Sequence, residues 1–163
     1  MAIVCSVEVG ANYVGYPMPL IVIGADTAAG EAILETLGQP EREVRVFVTD
    51  EPAGLEMRNR GFKVATGDVS DESHIEAASM HCFSAVLIAE AATDRRQRSF
   101  ASTPDEVLRG WAKAVGNSGV NRVIWVTDRE PPETGVAEVA RVDPSDPALA
   151  EKVLALDDAH LLG

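Results

Sequence analysis

Leu20-Ile21-Val22-Ile23 contains no polar position and runs into Gly24 and then an amphipathic stretch from Ala28 to Leu37. A strand that is apolar at every position must be buried on both faces, as an inner strand of a parallel sheet covered by helices is. The same unit recurs along the chain. Val44–Val48, residues 62–65, residues 84–89 around Ala85-Val86-Leu87-Ile88, and Arg122–Val126 are further strand candidates, with a sixth over residues 136–142. Helical patterns alternate with them. Ala29, Ile33, Leu34 and Leu37 fall at helical spacing in the first, and Leu149, Val153, Leu156 and Leu161 in the last, over residues 147–162. Between these, residues 52–60 carry Pro52 in the first turn and Gly61 behind the last. Residues 71–81 open with Asp71 and Glu72, which complement the helix dipole. Thr103-Pro104-Asp105-Glu106 supplies a Thr cap, a Pro at the first position and a Glu at the third, for a helix to about Val115. Strands alternating with helices predict an α/β, doubly wound, mostly parallel sheet with right-handed crossovers, over residues 20–163. Residues 1–19 do not follow this pattern. Ile3, Cys5, Val7 and Val9 alternate with other residues, which predicts an extra strand or arm.

Composition narrows the partners. A chain of 163 residues suits one domain, and 46% hydrophobic with 25% charged residues is ordinary for a globular one. Lys and Arg number 14 against 26 Asp and Glu, a net charge of -12. That excess argues against nucleic acid, whose binding needs a basic stripe, and against an anionic membrane surface. Cys5 and Cys82 form no CxxC, so a reducing, cytoplasmic setting is expected. His74 and His81, seven apart, share a face of the expected helix, but neither they nor His160 sit in a metal-ligand spacing. Asp157-Asp158 before His160 reads as a solvated helix end. The first residues lack the basic stretch of a signal peptide, and no apolar run approaches the roughly 20 residues that span a bilayer.

The first strand feeds Gly24-Ala25-Asp26-Thr27-Ala28-Ala29-Gly30. A glycine turn between the first strand and first helix is where a doubly wound fold holds a pyrophosphate. The outer glycines are six apart, which fits GxxGxxG. With this turn go Val44 to Asp50, Gly61 through the Gly67-Asp68-Val69 loop to Asp71, and Trp111 through Val126-Thr127. Over residues 20–128 these segments resemble the atypical short-chain dehydrogenase/reductase family, in its NmrA-like branch with an NAD(P)-binding Rossmann domain. A potassium-channel regulatory domain shares the turn, the acidic end of the second strand and the Gly-Asp loop. The segment from Trp111 to Thr127 favours the reductases.

The resemblance implies roles residue by residue. Gly24 would make the tight turn, and Gly30 would allow close helix–strand packing. Asp50 would accept hydrogen bonds from the adenosine ribose, favouring NAD over NADP. Asp68 and Val69 would flank the adenine. Ala89, with Glu90 and Ala91, would lie along the cofactor, and Thr127 would stand where the family often places a hydroxyl.

Two departures from the family pattern shape the functional expectation. The middle glycine is Thr27, beside Asp26. A Cβ and a carboxylate then stand where backbone should approach a pyrophosphate. Either residue could instead be the helix N-cap, filling the site with a side chain. The family's catalytic Tyr and its Lys four residues later are also missing: Tyr13 and Tyr16 both precede the first strand, and Ala148 stands where a partner for Lys152 would be. Arg95, Arg96 and Arg98 form a loop that either clamps an anion or is simply solvated. The chain ends one strand and one helix past Thr127, which implies a trimmed substrate half. The expected function is a degenerate, non-catalytic dinucleotide-sensing or regulatory module that takes NAD or NADP, NAD preferred. The alternatives are an NAD(P)-dependent oxidoreductase with a non-tyrosine acid, and an interaction domain that has lost the cofactor. A homodimer is expected, because the missing half and the arm leave apolar surface to cover.

Overall fold

The apolar runs become the inner strands of one sheet. In a computed structural model, which describes residues 19–38, 42–93, 96–160 and 162, β1 (Leu20–Ile23), β4 (Ser84–Ile88) and β5 (Arg122–Val126) are buried at every position. β2 (Val44–Val48) lies beside β1, β3 (Lys63–Thr66) forms one edge and β6 (Glu138–Val142) the other. All five pairings are parallel, in the order β3-β2-β1-β4-β5-β6. The chain direction across the sheet therefore reverses between β1 and β4. In open α/β sheets that switch point is where a ligand crevice opens, outside the carboxyl ends of the strands.

Helices cover both faces. α1 (Ala28–Leu37) and α6 (Leu149–Asp158) pack together on one face, over Leu20, Val22, Val86, Ile88 and Ile124. α3 (Glu72–Ser79) and α5 (Pro104–Ser118) pack together on the other, over Ile21, Ile23, Leu87, Val123 and Trp125. Alternate residues of each inner strand thus feed opposite cores, the period-two rule applied to a two-sided sheet. α2 (Glu51–Asn59) flanks the β2–β3 edge.

Several boundaries differ from the sequence expectation. A one-turn helix, α4 (Glu90–Thr93), follows β4 directly, where no helix was expected. α3 stops at Ser79, and His81 adopts a left-handed conformation at φ 68°, so His74 and His81 do not share a helix face. His74 instead packs edge-on against Phe47 with ring centroids 5.0 Å apart. α5 continues through Gly116 to Ser118. A Cβ at Gly116 would come within 2.5 Å of the Thr134 carbonyl oxygen, so that glycine serves close packing, and Gly119 at φ 89° is the true C-cap. β6 starts at Glu138 rather than residue 136, and α6 is shorter at both ends than residues 147–162. The proposed arm, with Cys5, Tyr13 and Tyr16, falls almost wholly outside the described residues.

At the amino ends of the strands a fully buried Arg122 holds α6 in place. Its Nε donates to Glu138 Oε1 at 2.8 Å, and its Nη1 donates to the carbonyls of Leu156 (2.8 Å), Asp157 (3.0 Å) and Ala159 (2.7 Å). α6 has no basic residue in its last turn, so this guanidinium satisfies the C-terminal carbonyls instead. Asp157 and Asp158 both pair with the buried Arg42, tying the same helix end to the residues before β2.

Candidate functional site

The turn after β1 is tightly packed around its two glycines. Gly24 sits at φ 89°, and a Cβ there would come within 2.8 Å of the Ala91 Cβ and 3.2 Å of the Ile88 carbonyl oxygen. A Cβ at Gly30 would lie 2.4 Å from the Ala25 carbonyl oxygen. α1 can pack this closely on the turn at Ala25 only because Gly30 has no side chain.

Thr27 and Asp26 have separate structural tasks. Thr27 is the N-cap of α1: its Oγ1 accepts from the Gly30 N–H at 3.0 Å and donates to the Gly24 carbonyl at 2.7 Å. Of the two residues considered as cap, Thr27 is the one used. It takes up one of the orphan amides that an anion at a helix N-terminus would bind. Asp26 points the other way, toward the end of β2. Its Oδ2 accepts from the Thr49 N–H at 3.1 Å and the Asp50 N–H at 3.2 Å. Its carboxylate also forms an ion pair with Arg96, whose Nη2 donates to the Asp26 carbonyl at 3.0 Å. Both side chains are well buried, at 4% and 14% exposure, so water screens the pair little.

Asp50 is exposed and caps α2, its Oδ2 accepting from the Ala53 N–H at 2.9 Å. Asp68, after β3, is a hub. One carboxylate oxygen accepts from the Ser70 N–H at 2.8 Å and the Ser70 hydroxyl at 2.6 Å, and the other accepts from the Ser99 N–H at 2.7 Å. Partial burial raises this carboxyl's pKa, but the hydrogen bonds from Ser70 and Ser99 outweigh it and hold the group below the ordinary Asp value. Ser70 Oγ in turn accepts from the Phe100 N–H at 2.9 Å. Val69 is fully buried, and its carbonyl accepts from the Trp111 indole at 2.7 Å.

Ala89 and Thr127 lie past the ends of β4 and β5, on the rim of a cavity of about 750 Å³. Its walls include Glu90, Leu108, Arg109, Trp125 and Pro131. Trp125 is fully buried and its indole N–H has no hydrogen-bond partner among the described residues. Thr127 Oγ1 accepts from the Arg129 N–H at 3.3 Å. The candidate residues therefore divide into two groups. Gly24, Asp26, Thr27, Gly30, Asp50, Asp68 and Val69 ring the ends of β1, β2 and β3, while Ala89 and Thr127 belong to the β4–β5 side. Lys152 is on exposed α6 surface, paired with Asp146.

No family model matches the chain, and no curated protein does. Solved structures do. The anaerobillin reductase ChuY of Escherichia coli O157:H7 is 24% identical with a TM-score of 0.51, over 67% of this chain and 50% of that one. The Citrobacter sp. triphenylmethane reductase, solved with NADP(H), gives 15% identity and 0.54 over 66% of this chain and 36% of that one. An NADPH-dependent quinone oxidoreductase of Escherichia coli gives 17% and 0.52 over 85% and 44%. The fold is Rossmann-like. This Rossmann-like chain spans half or less of the length of those three structures. Among the described residues no helix is long and apolar enough to cross a membrane, and no group of three or more His, Cys, Asp or Glu is placed to hold a metal.

Sequence reasoning did not find Ser70 or Ser99 as ligands of Asp68. Asp68-Val69-Ser70 carried a local signal, since a Ser two residues after an Asp favours an Asx turn. The Ser99 contact spans 31 positions and carried none. Arg96 was grouped with two other arginines, and only the tertiary structure singles it out as the partner of Asp26. Arg95 lies outside the described residues.

Proposed function

We propose that this domain is a non-catalytic dinucleotide-sensing module that binds NAD(H) weakly and in preference to NADP(H). The observation that carries this reading is the glycine turn at the switch point. Gly24 and Gly30 let the turn pack against Ala91, Ile88 and Ala25 where no Cβ would fit, which keeps the close packing of a phosphate-binding turn. Thr27 Oγ1 already takes up the Gly30 amide of this turn, and the neighbouring Asp26 carboxylate, turned toward the end of β2, is paired with Arg96. A pyrophosphate entering there competes with bonds already made and meets a carboxylate, which supports weak affinity. The main chain fits the dinucleotide and these two side chains oppose it. Gly24, Thr27, Gly30, Asp50, Asp68, Val69, Ala89 and Thr127 are the proposed contacts, with Asp26 at the phosphates. The absence of a Tyr with a Lys four residues later supports the lack of turnover.

Calorimetry with NAD+, NADH, NADP+ and NADPH tests the reading. Heat that saturates in the high micromolar to millimolar range, stronger for NAD(H), is the expected result. Steady oxidation of NADH or NADPH with a panel of aldehydes, ketones and quinones would contradict it and favour an oxidoreductase with another acid. A second reading, an interaction domain without cofactor, is favoured by the Thr27 cap, which leaves the Gly30 amide no need of a ligand. It would replace the first if no dinucleotide bound at any concentration. We also propose a symmetric dimer, supported by the outer edge of β6, which pairs with no strand among the described residues and where Val139 is 47% exposed. Sedimentation at tens of micromolar giving a monomer would refute that.

A further inference from the structure

We propose that residues 96–100 are an autoinhibitory strap that holds the adenosine side of the cleft shut until a dinucleotide displaces it. This rests on the dinucleotide reading above and concerns how that site is regulated. The strap begins beyond β4 and α4. Arg96 reaches the turn after β1 through the Asp26 carboxylate and carbonyl. Ser99 and Phe100 are fastened to the loop after β3, with their amides donating to Asp68 at 2.7 Å and Ser70 at 2.9 Å. In the strand order β3-β2-β1-β4 a segment anchored at those places links the turn that leaves β1 to the loop that leaves β3, across the carboxyl end of β2 between them. Those strand ends are the part of the crevice an adenosine half would need.

The fastenings are specific. Two carboxylates from different loops each take a bond from the strap while bonding their own surroundings, Asp26 to the end of β2 and Asp68 to Ser70. Arg98 adds a bond to the Ala92 carbonyl at 3.3 Å, which ties the strap back to α4. Hydrophobic burial does not hold it, since Phe100 is 69% exposed. A strap held by a few polar bonds and little apolar area belongs to the low-stability end of a fold, where local opening is accessible. Ligand affinity is then reduced by the fraction of molecules in which the strap is open.

Hydrogen exchange on the full chain reads this directly. The Ser99 and Phe100 amides are expected to be protected in the free protein and to exchange faster when NAD+ is added to saturation. Ser70→Ala removes the Phe100 fastening without changing any charge at the glycine turn, and is expected to bind NAD+ several-fold more tightly. Unchanged or increased protection of the two amides in bound protein would overturn the strap, even if Ser70→Ala failed to fold. Calorimetry on the unaltered chain separates the two ideas. If NAD+ saturates it and the two amides do not respond, the strap is wrong and the dinucleotide reading stands. If NAD+ does not bind it at any concentration, both fall together.

Discussion

The Asp26 carboxylate accepts the backbone N–H of Thr49 at 3.1 Å, joining the turn after β1 to the end of β2. With the Asp50 amide at 3.2 Å on the same oxygen, it satisfies two main-chain donors just past β2. The residue least suited to a phosphate site therefore has a structural task. That task sets two terms against each other, ligand affinity and local order.

Replacing Asp26→Thr together with Thr27→Gly tests both terms. A carboxylate near two phosphate charges opposes binding by about 1 to 4 kcal/mol per close pair, depending on screening. Its removal should tighten NAD+ binding tenfold or more, read by calorimetry. The variant should also lose stability in urea. A hydrogen bond to a charged acceptor contributes about 1.5–3 kcal/mol, and exchanging a Thr cap for Gly costs only a few tenths.

Asp50→Ala should erase a preference for NAD(H) over NADP(H), because no carboxylate would then oppose a 2′-phosphate. The same change removes the cap of α2, whose Ala53 amide loses its acceptor. A drop in stability of about 1 kcal/mol should accompany it. Loss of stability with the preference intact would assign Asp50 to capping alone.

Arg122→Met should be among the most destabilising single changes. It leaves the partly buried Glu138 carboxylate and three backbone carbonyls at the end of α6 without their donor. Removing one member of a buried ion pair costs about 3–5 kcal/mol, a large share of the stability of a domain this size. Urea denaturation measures it, and a loss below about 1 kcal/mol would show that water replaces the guanidinium.

Acid should weaken the fold partly through Asp68. Its folded pKa is depressed, so its contribution is complete above the ordinary Asp value and is lost as pH falls through the folded value. Glu43 acts in the same direction: partial burial raises its carboxyl, but Lys63 and Arg45 bring it below the ordinary value. Asp68→Asn should therefore lower stability near neutrality and flatten its decline below about pH 4. An unchanged acid limb would show that Asp68 does not titrate differently in the fold.

Elements whose signal lies within a few residues were legible in the sequence. β1, α1, β2 and β5 begin and end where apolar runs, Gly24, Gly38 and helical spacing indicated. α5 was extended past Gly116 because that glycine answers to Thr134, eighteen positions away and invisible to a local pattern. α4 was missed because a single turn between β4 and the arginines is too short to show a period.

By itself the sequence determined the alternation of strands and helices, and with it a parallel, doubly wound sheet with a glycine turn at its first crossover. These follow from hydrophobic period and turn chemistry, which act between neighbours along the chain. Only the tertiary structure decided what occupies that turn. Whether Asp26 capped a helix, repelled a phosphate or paired with an arginine depended on Thr49 and Arg96, which are 23 and 70 positions away. A charged side chain's role is set by the partners that folding brings within about 3 Å and by how far burial keeps water from screening them, and neither is encoded at its own position.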